Sequence, residues 1–194
     1  MKKTFNKLLK ELERTKYFSI KNDKRLLICF AGVPGSGKSC LAKKLERKYK
    51  GVRINSDGLR KFINHKKITN KEQEREHILR AFIIDLLRDY PFKNKLVILD
   101  SGIERKYEGV AEIAKLKKWK IFIIRVVEKK QTILKRIKKK DINRFENRYE
   151  DIVRWFREFK EFNKKIKSDF IFKKNSDLKN LFLKVDKLQT DKKL

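Results

Sequence analysis

Residues 32–39 read Gly-Val-Pro-Gly-Ser-Gly-Lys-Ser, the stretch of the 194 residues whose types and spacing speak most directly of chemistry. The octet fits the pattern G-x-x-x-x-G-K-[ST]. At average residue usage such a match arises by chance in roughly one chain in a hundred of this length. The glycines lack a Cβ, so the backbone can wrap an anion and turn its N–H groups inward. A helix opening at the end of the loop adds free N–H groups and the positive end of its dipole. Gly32, Val33, Pro34, Gly35, Ser36, Gly37, Lys38, Ser39 and Cys40 are therefore the candidate nucleotide-binding set. Lys38 is expected to reach the β- and γ-phosphates, and the Ser39 hydroxyl to hold a metal ion. The implied ligands are ATP and Mg²⁺.

Two further acids stand where they can serve such a loop. Leu96-Val97-Ile98-Leu99-Asp100 is an apolar run ending in a carboxylate, the form of a strand-end aspartate that supports Mg²⁺ directly or through water. Asn55-Ser56-Asp57-Gly58-Leu59-Arg60 follows another short apolar stretch. In open parallel sheets, ligands bind outside the carboxyl ends of the strands, so Asp57 is expected to face the crevice that holds the loop. A carboxylate there can take the proton of a hydroxyl attacking the γ-phosphate. Arg60, three residues on, lies on the same side of a helical turn and has the planar fork suited to an anionic acceptor.

The elements that must position these groups are legible as periodicities. Leu26 to Ala31 is a continuous apolar run leading straight into the loop, as a buried strand does. Leu41, Ala42, Leu45 and Tyr49 then recur at helical spacing, and Gly51 is expected to end that helix. Val52 to Asn55 reads as a second strand, with Asp57 opening a short helix. Thr69 or Asn70 can cap a helix reaching Arg88, with Ile78, Phe82 and Leu86 inward. Lys95 to Asp100 is a third strand. Val110, Ile113, Ala114 and Trp119 mark a helix, and Ile121 to Val127 a fourth strand. Helices are expected near 129–139 and 148–166, a short strand at Phe170 to Phe172 and a closing helix over 176–189. An additional helix is expected over residues 4–18, from Phe5, Leu8, Leu9 and Leu12 on one face. Alternating strands and helices imply one α/β domain spanning 1–194, a three-layer α/β/α sandwich around a mostly parallel five-stranded sheet.

With the loop, the Asn-x-Asp-x-x-Arg element and the strand-end Asp in hand, the chain resembles the P-loop 5′-hydroxyl polynucleotide kinases over about residues 25–140. Gly32 to Ser39, Asn55, Asp57, Arg60 and Asp100 carry the resemblance. It implies a P-loop NTPase fold with a helical lid near 129–147. It also implies that Asp57 is the general base and that Arg60 places the acceptor phosphate. In that family the lid carries Arg-x-x-x-Arg, whose arginines clamp the donor phosphates. Here Arg136 fits the first slot, Lys140 occupies the second, and Arg144 stands one turn beyond. Zeta-type toxin kinases and many small-molecule kinases share this architecture. The implied activity is transfer of the γ-phosphate to a hydroxyl, with the 5′-hydroxyl end of a nucleic acid or a small anionic compound as acceptor.

Composition bounds the remaining choices. There are 55 Lys and Arg residues against 25 Asp and Glu, a formal net charge of +30. Such a surface attracts polyanions, but a chain rich in Lys, Asn and Ile throughout would show the same surplus without a dedicated patch. The two cysteines, Cys29 and Cys40, exclude a disulfide framework, suit a reducing cytoplasm and are expected to be small buried residues. No apolar run approaches 18 residues, so no transmembrane helix is expected. Phe145, Tyr149, Ile152, Phe156 and Phe159 recur at helical spacing as a core stripe. Trp155 with Arg148, Arg154 and Arg157 offers an alternative surface for stacking and pairing with a nucleic-acid strand.

Overall fold

A computed structural model of the chain describes residues 25–65, 72–89, 96–140 and 149–190. The expected helix over 4–18, the caps Thr69 and Asn70, and Arg144, Phe145 and Arg148 lie outside these residues. The described elements, in chain order, are β1 (Leu26–Ala31), α1 (Lys38–Tyr49), β2 (Val52–Asn55), α2 (Ser56–His65), α3 (Glu72–Asp89), β3 (Leu96–Gly102), α4 (Tyr107–Leu116), β4 (Lys120–Val126), α5 (Lys130–Lys140), α6 (Tyr149–Lys165), β5 (Phe170–Phe172) and α7 (Asp177–Thr190).

The five strands form one sheet in the order β2-β3-β1-β4-β5, with every neighbouring pair parallel. β1 is central and buried on both faces, which explains its unbroken apolar run. Alternate residues feed two cores. Leu27, Cys29 and Ala31 pack with Leu79, Ile83, Leu86 and Leu87 of α3, Val110 and Ile113 of α4, and Phe162 of α6. Leu26, Ile28 and Phe30 pack with Leu41, Ala42, Leu45 and Tyr49 of α1 and Leu181 and Val185 of α7. The expected three-layer sandwich is thus the observed one. Among the described residues, no helix is long and apolar enough to cross a membrane.

Two local departures from the sequence reading have simple causes. α1 ends at Tyr49, and the left-handed cap is Lys50, at φ 51°, rather than Gly51. Gly51 is needed for a different reason: a Cβ there would lie 2.9 Å from the Leu96 side chain, where the turn crosses the start of β3. The second departure is in β3, which runs two residues past Asp100. Cys29 pairs with Leu99 but Phe30 pairs with Gly102, so Asp100 and Ser101 bulge out of the β1 ladder. Asp100 keeps its pairing with Asn55 of β2. Such bulges re-aim side chains at sheet ends, and this one occurs where the chain of β1 becomes the loop.

α1 is the platform of that loop, and it is fixed by burial of Leu45, which is 0% exposed. Leu45→Ala is expected to lower the unfolding free energy by about 2–5 kcal/mol, the usual cost of truncating a fully buried leucine. Urea denaturation of the two proteins measures the difference.

Candidate functional site

The loop from Gly32 to Gly37 connects the carboxyl end of β1 to the amino end of α1. Gly35 and Gly37 have φ of 86° and 105°, a region open to glycine and strained for other residues. Gly32 is confined by contact instead: a Cβ there would lie 2.8 Å from Ser36 Oγ and 2.9 Å from the Val126 carbonyl. The Lys38 ammonium donates to Gly32 O at 2.5 Å and Val33 O at 3.0 Å. An ammonium has three N–H donors, so two are fixed by the loop and one is left for a ligand. Burial lowers the Lys38 pKa, and the nearby carboxylates of Glu104, Asp100 and Asp57 oppose that shift. Ser36 is buried, and among the described residues its hydroxyl has no hydrogen-bond partner. An orphaned buried hydroxyl in a glycine loop is what a bound anion satisfies. Pro34, Ser39 and Cys40 are exposed. For Cys40 this corrects the expectation of burial: it follows Ser39 on the open side of the first turn of α1. Cys29 is buried as expected, and burial pushes its thiol up to about 12, which rules it out as a nucleophile.

The strand-end aspartate meets the loop. Ser39 Oγ donates to Asp100 Oδ1 at 2.8 Å. The other carboxylate oxygen, Oδ2, is held by Arg53 Nη1 at 2.6 Å, while Arg53 Nε reaches Glu46 Oε2 at 2.7 Å. Asp100 has a side chain 1% exposed, and burial of a charge this deep requires such a partner. Oxygen donors suit Mg²⁺, and Ser39 beside Asp100 fits it. Among the described residues no group of three His, Cys, Asp or Glu is placed to hold a metal ion. A Mg²⁺ ion here would therefore share its shell with nucleotide phosphates, as Mg²⁺ ordinarily does.

Asp57 and Arg60 come together as their spacing implies. Arg60 Nη1 lies 2.7 Å from Asp57 Oδ1, with Asp57 66% exposed at the start of α2. Arg60 Nε is also paired, at 2.8 Å, with Glu76 of α3. Sequence reading offered Arg60 as a clamp for an anionic acceptor; in the structure two carboxylates already hold it, and an acceptor anion would compete with them. On the far side, α5 lies directly over the loop. Ile133 and Ile137 approach Gly35 so closely that a Cβ there would be 3.3 Å from Ile137 Cγ1. Arg136 Nη1 donates to Gly35 O at 3.1 Å, and its Nη2 pairs with Glu128 at 3.0 Å. Arg136 is thus beside the glycine loop. Lys140 is the last residue of α5. Of the stripe in α6, Ile152 is buried and Phe159 packs against the core beside Phe162, while Phe156 is half-buried under the Lys130 ammonium. Arg154 is engaged by Asp151 and Glu158.

Three residues of the site escaped the sequence reading. Arg53 alternates into the second strand like any solvent-facing residue, and nothing local marks it as the partner of Asp100. Glu104 lies beyond β3, and its Oε1 accepts the Gly32 N–H at 2.6 Å. Lys106 donates to Ser101 Oγ at 2.7 Å and to the Gly102 carbonyl. Burial lowers its pKa to about 8, with Glu104 and Glu76 opposing the shift. The signal available in sequence was only a run of charges after the strand-end Asp.

The comparisons with known proteins agree with this geometry. The AAA domain family profile matches residues 27–160. No curated protein matches the chain in sequence. Shikimate kinase from Acinetobacter baumannii, in complex with shikimate, superimposes with a TM-score of 0.57 at 13% identity, over 89% of this chain and 97% of that one. APS kinase from Mycobacterium tuberculosis, in complex with AMPPNP and APS, gives 0.52 at 16% identity, over 85% and 97%. Shikimate kinase from Bacteroides thetaiotaomicron gives 0.54 at 13%, over 85% and 97%. These likenesses show the P-loop kinase fold.

Two outcomes follow from the charges. Arg53→Met leaves the Asp100 carboxylate buried without its counter-ion and is expected to cost about 3–5 kcal/mol in urea denaturation. For Lys106, the folded state releases its proton near pH 8 and the unfolded chain only near the usual 10.5. The unfolded state binds more protons in between, so this residue adds stability as pH rises through that window. Thermal melts of wild type against Lys106→Met from pH 7 to 10 should show the increment in the wild type alone.

Proposed function

The chain belongs to the AAA domain family, and on that footing we propose that it is an ATP-dependent phosphotransferase moving the γ-phosphate to a hydroxyl acceptor. The observation that carries this reading is the contact of Ser39 with Asp100 at 2.8 Å, directly beside a lysine held by its own loop. Lys38 has one N–H left by its loop contacts, which would reach the β- and γ-phosphates of a bound nucleotide. Arg136 stands over the loop to offset charge developing on the transferred group. Ser39 would hold Mg²⁺, with Asp100 fixing the hydroxyl, and the ion would supply charge neutralisation at the phosphates. The proton of the acceptor passes to a carboxylate at the carboxyl ends of the strands, where Asp57 carries the expectation from sequence. The whole reads as one P-loop kinase domain with α5 as lid. Its unpaired cysteines fit a reducing cytoplasm.

For the acceptor, the Asn55, Asp57 and Arg60 element and the surplus of 30 positive charges support the 5′-hydroxyl end of a polynucleotide. One observation favours a second reading, a small hydroxyl compound. The arginines around the acceptor side are taken by carboxylates: Arg60 by Asp57 and Glu76, Arg105 by Glu158 at 2.7 Å. A phosphodiester strand needs open cations. Two of the similar folds were solved in complex with small molecules, shikimate in one and AMPPNP with APS in the other.

Labelled ATP incubated with a 5′-hydroxyl oligonucleotide and, separately, with a panel of small hydroxyl compounds decides between them. Label on the oligonucleotide supports the first reading; label confined to a small compound supports the second; label on neither, at high enzyme, overturns phosphotransfer. Lys38→Met is expected to lower transfer at least a hundredfold, through lost charge stabilisation at the phosphates.

A further inference from the structure

Arg136 stands where positive charge is already concentrated. Its Nη1 donates to Gly35 O at 3.1 Å, and a Cβ on Gly37 would lie 4.0 Å from that same nitrogen. Gly37 caps α1 and adjoins Lys38, so the guanidinium lies over the positive end of that helix. With no anion in the loop these charges repel one another, and the Arg136 side chain, 47% exposed, has solvent to turn to. Its own helix cannot offset the charge, since α5 reads Lys-Gln-Thr-Ile-Leu-Lys-Arg-Ile-Lys-Lys-Lys, without an acid.

Glu128, just ahead of α5, offsets it. Glu128 Oε2 pairs with Arg136 Nη2 at 3.0 Å, and Oε1 accepts the Lys129 N–H at 2.9 Å. The backbone leading to Glu128 is fixed. Val127 N–H donates to Phe172 O of β5 at 2.9 Å. Val126 closes β4 with its carbonyl 2.9 Å from where a Cβ on Gly32 would lie. The guanidinium is therefore held from two sides, by the carboxyl edge of the sheet through Nη2 and by the loop through Nη1. Two such contacts set the plane of a rigid fork. Among the described residues they occupy two of its five N–H donors.

We propose that Glu128 is a positioning residue, which holds Arg136 over the glycine loop before a nucleotide arrives, so that the γ-phosphate meets an arginine already in place. The inference rests on the reading of the chain as an ATP phosphotransferase. Glu128 acts through Arg136 and touches neither nucleotide nor acceptor. The opposite role for the same contact, a latch that withholds Arg136 from the phosphates, predicts a change of the opposite sign.

Binding tests this without knowledge of the acceptor. A non-hydrolysable ATP analogue and ADP, each with Mg²⁺, are titrated by calorimetry into wild type, Arg136→Met, Glu128→Gln, Glu128→Asp and the Glu128→Gln/Arg136→Met double variant, with thermal melts in parallel. The readout is the preference for the ATP analogue over ADP, which isolates the γ-phosphate and is insensitive to a general loss of folded protein. Arg136→Met is expected to reduce that preference about tenfold or more, the worth of a charge-assisted hydrogen bond. Glu128→Gln should reduce it about three- to tenfold, and the double variant no further than Arg136→Met alone, the non-additivity of groups acting as one. Glu128→Asp keeps the charge but shortens the reach; it should also reduce the preference, which separates positioning from simple repulsion, and it carries the test if the Gln variant melts early. A preference unchanged or widened in both Glu128 variants overturns the proposal, as does additivity in the double variant. So does a wild type that binds both nucleotides equally, or an Arg136→Met that keeps the full preference. A wild type that binds neither nucleotide is a different failure, that of the ATP reading itself.

Discussion

A buried carboxylate survives in a protein interior only when its oxygens are satisfied and its charge is matched. Asp100 meets both conditions by touching two elements, Ser39 at the head of α1 and Arg53 on β2, the strand paired beside it. That double contact ties the phosphate loop to the outer half of the sheet. It depends in turn on the two-residue slip between β1 and β3, which frees Asp100 from the β1 ladder while β2 still holds it. Straightening that pairing would move Asp100 relative to Ser39.

Around that knot the chain balances charge locally in a way its total does not suggest. The sequence carries a surplus of 30 positive charges, yet the crevice at the strand ends is dense in acids. Arg53, Arg60, Arg105 and Arg136 each have a carboxylate within 3 Å. Lysines around the site are handled differently. Lys38 and Lys106 donate to backbone carbonyls, with Glu104 as a shared counter-charge at longer range. The planar arginines are thus spent on pairing, and the two lysines stay desolvated with a donor to spare.

The parts of the fold legible in the sequence are those set by local pattern. A run such as Leu26 to Ala31 is apolar because β1 is covered on both faces, and the 3.6-residue spacing of Leu41, Leu45 and Tyr49 states which side of α1 is inside. The phosphate loop was legible because its glycines and lysine are a contiguous solution to one problem. Asp57 and Arg60 were legible because three residues make a helical turn. Arg53 and Glu104 were not, since their roles depend on strand order and on a register slip, and neither leaves a local mark. Gly51 shows the limit in small. Its presence pointed correctly to a turn, but the reason lies 45 residues away, at Leu96.

The chain has two thiols, and burial silences one of them. Cys40 is exposed and adjoins Ser39, so a thiol-directed spin label or fluorophore on the folded protein has a single accessible point of attachment. That point lies within one residue of the glycine loop. The native sequence thus carries its own spectroscopic handle beside the glycine loop, with no cysteine to be introduced and none to be removed.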